Sequence, residues 1–322
     1  MKFVSMPKNG SSWRGRLPYS FSIESDEPQD VTVEILNYVT GDLLGTMRLY
    51  GVVDGEVDIA PYVRPHVSMK LVETTELAKL FVSPSSISVI VRIDGIDSEV
   101  RVFFRSEFDN SVIGPISSKA ETSIVLQGEA IRITLFAKMR IDVTLIFSGR
   151  TTSTHRYDTL SHGMPVELVV QTKSVSEFEE LSINVRCDAK NLFVFNYTIM
   201  QRTGTPQRVV WYNKNGGVES YLFDHAKRLS YEVKRENGCL CDEGCMILDG
   251  RVRYRLCSGY ELQTEMERVA QLMLSPIVCR ESDGMCREVE LDSREITFDS
   301  KGMLRSMTLD LSEKWEGGEL LW

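Results

Sequence analysis

Several kinds of segment are missing from this chain of 322 residues. No apolar run approaches the roughly 18 residues that a membrane-crossing helix needs. The opening Met1-Lys2-Phe3-Val4-Ser5-Met6-Pro7-Lys8-Asn9-Gly10 lacks the apolar core of a signal peptide, so the expected site of synthesis and residence is the bacterial cytoplasm, until something else carries the protein out. Basic residues are in deficit: 37 Lys and Arg stand against 46 Asp and Glu, and they form no stripe that could track a phosphate backbone. The net charge of −9 argues against nucleic acid as a partner. There is no fixed-period repeat and no low-complexity segment. Hydrophobic residues at 42% and charged residues at 26% are the proportions of a folding globular chain, and the length allows two or three domains.

Reactive constellations are equally scarce. Only four histidines occur, His66, His155, His162 and His225, and none sits at a metal-ligand spacing. A nucleophile elbow, a phosphate-binding glycine-rich loop and a dinucleotide fingerprint are all lacking. Acidic residues mostly alternate with apolar ones, as Asp142 does between Ile141 and Val143, which is the pattern of a solvated strand face. The expectation is a protein with no catalytic residues and no cofactor. A hydrolase with converging carboxylates in the C-terminal third is the remaining enzymatic reading.

Cysteine is scarce except in one region. Six of the seven lie between positions 239 and 286. Cys239, Cys241, Cys245 and Cys257 could in principle supply four thiolates to zinc, but their spacing is irregular for a zinc ribbon, and Asp242-Glu243-Gly244 suits solvent better than a closed thiolate shell. We expect no metal and mostly free thiols. Cys279 and Cys286 flank Ser282-Asp283-Gly284 across an expected hairpin and form the pair most prone to oxidise.

What the chain has in abundance is strand signal. Tyr19, Phe21 and Ile23, then Val31, Val33 and Ile35, alternate with polar residues. Ile87, Val89, Val91 and Ile93 lead through Asp94-Gly95 into Val100, Val102 and Phe104, a hairpin whose two turn residues both need positive φ. Asp58 to Pro65, with two prolines, reads as a crossing loop. Residues 1–108 are therefore expected to form an antiparallel β domain. Six or seven short strands between 109 and 204 have the rhythm of an immunoglobulin-like sandwich, without its Cys…Trp…Cys core. Charges sum to −4 in the first segment, zero in the second and −5 in the rest. From 205 to 322 a small α+β domain is expected. Its one main helix, at about 259–273, would start at a capping box of Ser258 and Glu261, carry Leu262, Met266, Val269 and Met273 inward, and stop at Ser275-Pro276. The fold class is mainly β, two consecutive antiparallel sandwich-like domains followed by that α+β domain.

Aromatic residues cluster around Trp211-Tyr212-Asn213-Lys214-Asn215-Gly216-Gly217, which reads as strand, turn, strand. Trp211, Tyr212 and Tyr221 are candidates for a ligand or interface platform, or else for the core of a hairpin. Asn196-Tyr197-Thr198 matches a glycosylation acceptor but falls inside a strand pattern.

Three stretches, Val57-Asp58-Ile59-Ala60-Pro61-Tyr62-Val63-Arg64, Val210 to Gly217, and Leu272-Met273-Leu274-Ser275-Pro276-Ile277-Val278, resemble a group of structural proteins encoded in tailed-phage and prophage-like elements of gut anaerobes. The group more usually carries an aromatic residue shortly after the paired glycines, where this chain has Val218-Glu219-Ser220 before Tyr221. The resemblance implies a virion or tail-associated protein that binds other structural proteins of the assembly, with self-association among the expected modes, and it assigns no functional residues. The competing expectation is a glycan-binding surface adhesin.

Overall fold

The computed structural model describes all residues except 26, 110–111, 118–121, 162, 174–177, 189–190, 202–205, 224, 237–245, 283–284, 294, 297 and 315–322. It is mainly β, built from several sheets, and among the described residues no helix is long and apolar enough to cross a membrane.

The first unit packs a three-stranded sheet (Lys2–Ser5, Pro18–Ser22, Asp54–Asp58) on a five-stranded one (Leu43–Val52, Gln29–Asn37, Ile87–Ile93, Ile96–Asp97, Arg101–Phe103). The alternation does what its period requires. Tyr19 and Phe21 face Val33, Ile35, Val89, Val91 and Ile93 across a closed core. Asp94 at φ 46° and Gly95 at φ 83° make the expected two-residue turn. The segment read as a crossing loop contains a turn of helix at Ala60–Val63. Pro61 sits in the first turn of that helix, where its fixed φ is pre-organised and its missing N–H costs nothing.

The middle unit is a β-sandwich of a four-stranded sheet (Gly114–Pro115, Ala130–Phe136, Pro165–Gln171, Ala78–Val82) and a five-stranded one in the order Thr122–Leu126, Asn191–Met200, Phe178–Cys187, Arg140–Gly149, Thr152–Leu160. Thr122–Leu126 runs parallel to its neighbour, the one parallel ladder between strands among the described residues. A boundary at 108 does not describe these sheets. Ala78–Val82 leaves the first unit to pair with Pro165–Gln171, and the chain then returns to the first unit before entering the middle one for good. The reason is burial: Ala78 lies inside the middle core, with Leu77 and Leu80 packed on its margin.

The third unit, beginning at Gln207, is an antiparallel sheet of nine strands whose main path runs Val218–Phe223, Gln207–Tyr212, Val278–Ser282, Met285–Leu291, Leu304–Lys314, Met246–Cys257, His225–Glu236. One face is covered by the helix Gln263–Ala270 and the 3-10 turn Gln271–Leu274. The helix is shorter than the 259–273 expected, and its cap is Leu262 rather than a Ser258 capping box. The sheet takes the first turn instead. Ser258 Oγ accepts the Met307 N–H at 2.8 Å and donates to the Gly259 carbonyl, while Glu261 and Leu262 pair with Arg305 and Leu304. Leu262 consequently points outward, and Met266, Val269 and Leu272 supply the buried stripe.

Two strands have no exposed face. Every residue of Pro165–Gln171 and of Gln207–Tyr212 is buried. Val166, Leu168 and Val170 fill the sandwich core, and Val209 and Trp211 fill the core under the helix. Their alternates, Glu167, Val169 and Gln171 on one strand and Arg208, Val210 and Tyr212 on the other, lie where the middle and third units meet. Side chains on those faces bond across the boundary, as Tyr212 does to Glu167.

Candidate functional site

The polar side chains sealed between these sheets are the most unusual chemistry in the molecule. Glu167 Oε1 accepts from Ser83 Oγ at 2.7 Å and from the Tyr212 hydroxyl at 3.1 Å. Glu281 accepts the Ala130 N–H. Between them lies Arg132, which donates to the Val72 carbonyl, and beside them Arg208 pairs with Glu129 at 2.8 Å. Among the described residues, Glu167 Oε2, Glu281 Oε2, and Arg132 Nε and Nη2 have no hydrogen-bond partner. Burial pushes both Glu167 and Glu281 up to about 7, against the pull of Arg132 and of the hydrogen bonds they accept. Both carboxyls are closed to solvent, at 0% and 1% exposure, so no substrate could reach their raised protons without the units parting.

A second cluster fixes the turn that follows Tyr212. Asn213 Oδ1 accepts the N–H groups of Asn215 and Gly217, and Asn213 Nδ2 donates to the Ile116 carbonyl and to Glu219. The turn is clamped from the first unit by Arg105, whose guanidinium donates to the carbonyls of Tyr212 at 3.3 Å, Asn213 at 3.1 Å and Leu274 at 2.6 Å. Ser85 Oγ donates to Gly216, Ser117 Oγ to Val218, and Thr134 Oγ1 accepts the Val218 N–H. All three units thus meet at the Tyr212–Val218 turn.

Two glycines make that approach possible. Gly216 has φ +86°, and a Cβ there would lie 2.9 Å from Ser85 Oγ; at Gly217 it would lie 2.9 Å from the Ile116 backbone carbon. Gly217→Ala is therefore expected to cost about 2 kcal/mol, because backbone cannot swing aside as a side chain can. Denaturant unfolding would check this, with Gly15→Ala, where the φ is likewise ordinary and a Cβ would meet nothing nearer than the Ser12 carbonyl oxygen at 3.6 Å, separating crowding from the loss of glycine.

Further bonds connect the first and third units to this turn. Arg64 donates to the carbonyls of Trp13, Arg14 and Gly15, Trp13 Nε1 donates to the Ser85 carbonyl, and Ser85 reaches Gly216. Ser275 Oγ accepts the Tyr212 N–H at 3.0 Å.

Beside the junction, a cleft of about 440 Å³ opens between the middle sandwich and the helix-bearing unit. Its charged walls are already occupied. Arg268 bridges Glu219 at 2.8 Å and Glu265, and lies 5.7 Å from the Trp211 ring centroid; Glu261 accepts from the Tyr221 hydroxyl at 3.4 Å. Burial would lower the Arg268 pKa, yet the two carboxylates raise it. Tyr197, from the glycosylation-like triplet, lines the opposite wall.

Of the aromatic candidates, Trp211 and Tyr212 are completely buried and Tyr221 is 8% exposed, so none offers a ring face on which a sugar could stack. Trp211 is core, and Tyr212 is an interface residue between units of one chain. Cys239, Cys241 and Cys245 lie outside the described residues, as does His162. Cys257 is half-buried beside Thr308 Oγ1, and among the described residues no three His, Cys, Asp or Glu stand together as a metal site. Cys279 and Cys286 do share a hairpin, but the register sets Cys279 opposite Glu288 and Cys286 opposite Glu281, a diagonal relation. Diagonal neighbours are about 7 to 8 Å apart at Cα, beyond ordinary disulfide reach. Both are free, and burial pushes both thiols up to about 12. Native protein should therefore keep both thiols after aerobic storage, and non-reducing peptide mapping that found a linked Cys279–Cys286 peptide would contradict this register.

Arg105, Arg132, Glu167 and Glu281 escape a reading of motifs because each stands alone in sequence. The signal that marks them is a charge inside an otherwise apolar strand, as in Val166-Glu167-Leu168-Val169-Val170. The chain matches no protein-family model, and no characterised protein matches it in sequence.

Proposed function

We propose that this chain is a non-catalytic structural component of a phage-tail-like or virion assembly, acting through contacts with other structural proteins. The observation that carries the reading is the junction at Tyr212–Val218, where Arg105, Ser85, Ser117 and Thr134 tie three β units together through buried hydrogen bonds. Such a junction resists the hinge motion expected of loosely tethered domains, and a stiff multidomain body suits load-bearing assembly. Arg208, Arg268 and their carboxylate partners in the adjoining cleft neutralise one another among the described residues, which weighs against the hydrolase reading. The burial of Trp211 and Tyr212 weighs against the adhesin reading in the same way.

Within this proposal the middle sandwich is immunoglobulin-like, with Ala78–Val82 filling the edge position that a strand between Leu160 and Pro165 would otherwise take. Its formal charge of zero makes it the least self-repelling surface of an acidic molecule. The test is to purify tail-like or phage particles from cells that carry the gene. The chain should be present at fixed stoichiometry, and its deletion should leave incomplete particles. Complete particles formed without it would overturn the proposal.

A further inference from the structure

The long strands at sheet edges differ in how they are guarded. Leu43–Val52 carries Gly45 and Gly51 and has irregular register with its neighbour, and His225–Glu236 has two register shifts. Ala78–Val82 is short and carries Lys79. These are the ordinary devices by which an edge avoids pairing with another chain. Thr152–Leu160 has none of them. It is nine residues of continuous ladder against Arg140–Gly149, without bulge, glycine, proline or lysine, and among the described residues its outer side bonds to no strand.

The direction of its backbone groups follows from one bond beyond its end. Ser161 N–H donates to the Met139 carbonyl, so in the same register the odd-numbered residues point their N–H and C=O toward the neighbouring strand. The even-numbered residues Thr154, Arg156, Asp158 and Leu160 therefore present theirs to the outside. Their side chains are also the exposed ones, while Tyr157 leans on the sandwich core.

We propose that Thr152–Leu160 is a self-association edge, pairing antiparallel with the same strand of a second copy about a two-fold axis at Tyr157. This inference rests on the structural reading above and names its contact surface. In that register Arg156 lies opposite the second copy's Asp158, and Asp158 opposite its Arg156, while Tyr157 meets its own counterpart beside the core. Exposed Leu160 is covered by Thr154. Arg156 has no carboxylate partner within the chain among the described residues, whereas Asp158 already meets Arg140, so pairing would extend a charge ladder rather than break one. Sliding the register by two residues sets Arg156 on Arg156 or Asp158 on Asp158. Sliding it by one sets outward amides against inward ones. Only the register centred on Tyr157 satisfies both charge and hydrogen bonding, and the strand's own charges cancel, which spares a protein of net −9 the cost of bringing two copies together.

Sedimentation equilibrium on the full chain tests this. The protein should dimerise. Arg156→Asp, and separately Asp158→Arg, should each weaken the dimer about tenfold, since two-fold symmetry places every like-charge clash twice. The double exchange Arg156→Asp with Asp158→Arg should restore most of the affinity, while Arg156→Asp alone, which leaves the Asp158–Arg140 pair in place, keeps its melting temperature. A wild-type protein that stays monomeric at about 0.1 mM would overturn the proposal, as would a dimer indifferent to both single exchanges. Neither result would touch the structural reading, which stands or falls on particle composition.

Discussion

An Arg105→Met protein is expected to lose about 4 kcal/mol of stability and to show two unfolding transitions where the parent shows one. Arg105 is 7% exposed and has no carboxylate beside it; burial lowers its pKa, helped by the nearby Arg14 charge. Its solvation comes from the carbonyls of Tyr212, Asn213 and Leu274. Methionine keeps the apolar stem and removes every donor, leaving buried acceptors unsatisfied at about 1 to 3 kcal/mol each. Because those carbonyls belong to the third unit and Arg105 to the first, the lost energy is coupling between units. Differential scanning calorimetry should resolve the uncoupled first unit melting earlier. A single transition lowered by less than about 1 kcal/mol would show that the junction holds without its clamp.

The sandwich cores were legible because period-two alternation states a face directly. Val33, Ile35, Val89 and Val91 are inward as their spacing demands. The helix was half legible. Met266 and Val269 lie on its buried face, but the sequence could not reveal that Leu304 and Arg305 would claim Glu261 and Leu262 for a ladder. Local capping preference, worth about 1 kcal/mol, loses to such pairing.

The junction was legible only as isolated charges within apolar runs. Glu167 and Arg208 look like the polar half of ordinary amphipathic strands, and only the stacking of one sheet on another turns those faces inward. A strand's own sequence says which residues share a face, and nothing about whether a second domain will cover it. The same limit hid Ala78–Val82, whose partner strand lies more than eighty residues away.

Those covered carboxylates give the molecule a pH response of unusual sign. In the unfolded chain Glu167 and Glu281 ionise near the ordinary 4.5, and in the folded chain near 7, because burial between the sheets opposes charge. Groups facing Glu167 are Ser83, Tyr212 and Arg132, and those facing Glu281 are Arg132, Arg208 and Glu129. One guanidinium thus lies between two carboxyls, with Arg208 already bound to Glu129. The folded state favours the protonated carboxyls, so their contribution is full below about pH 4.5 and is lost as pH rises through 7. Asp58, Asp97 and Asp188 act oppositely, since hydrogen bonds and neighbouring cations hold them below the ordinary value, and their stabilisation disappears only in acid. Stability should therefore peak near pH 4 to 5, fall until about pH 7 and level off above it. Replacing both Glu167 and Glu281 by glutamine keeps an acceptor oxygen for Ser83, Tyr212 and Ala130 and removes the charge. That variant should gain about 3 kcal/mol per carboxyl over the parent at pH 8 and almost nothing at pH 4. Melting curves across that range decide the matter, and parallel pH profiles for parent and variant would mean that water or rearrangement already solvates these two carboxylates in the folded protein.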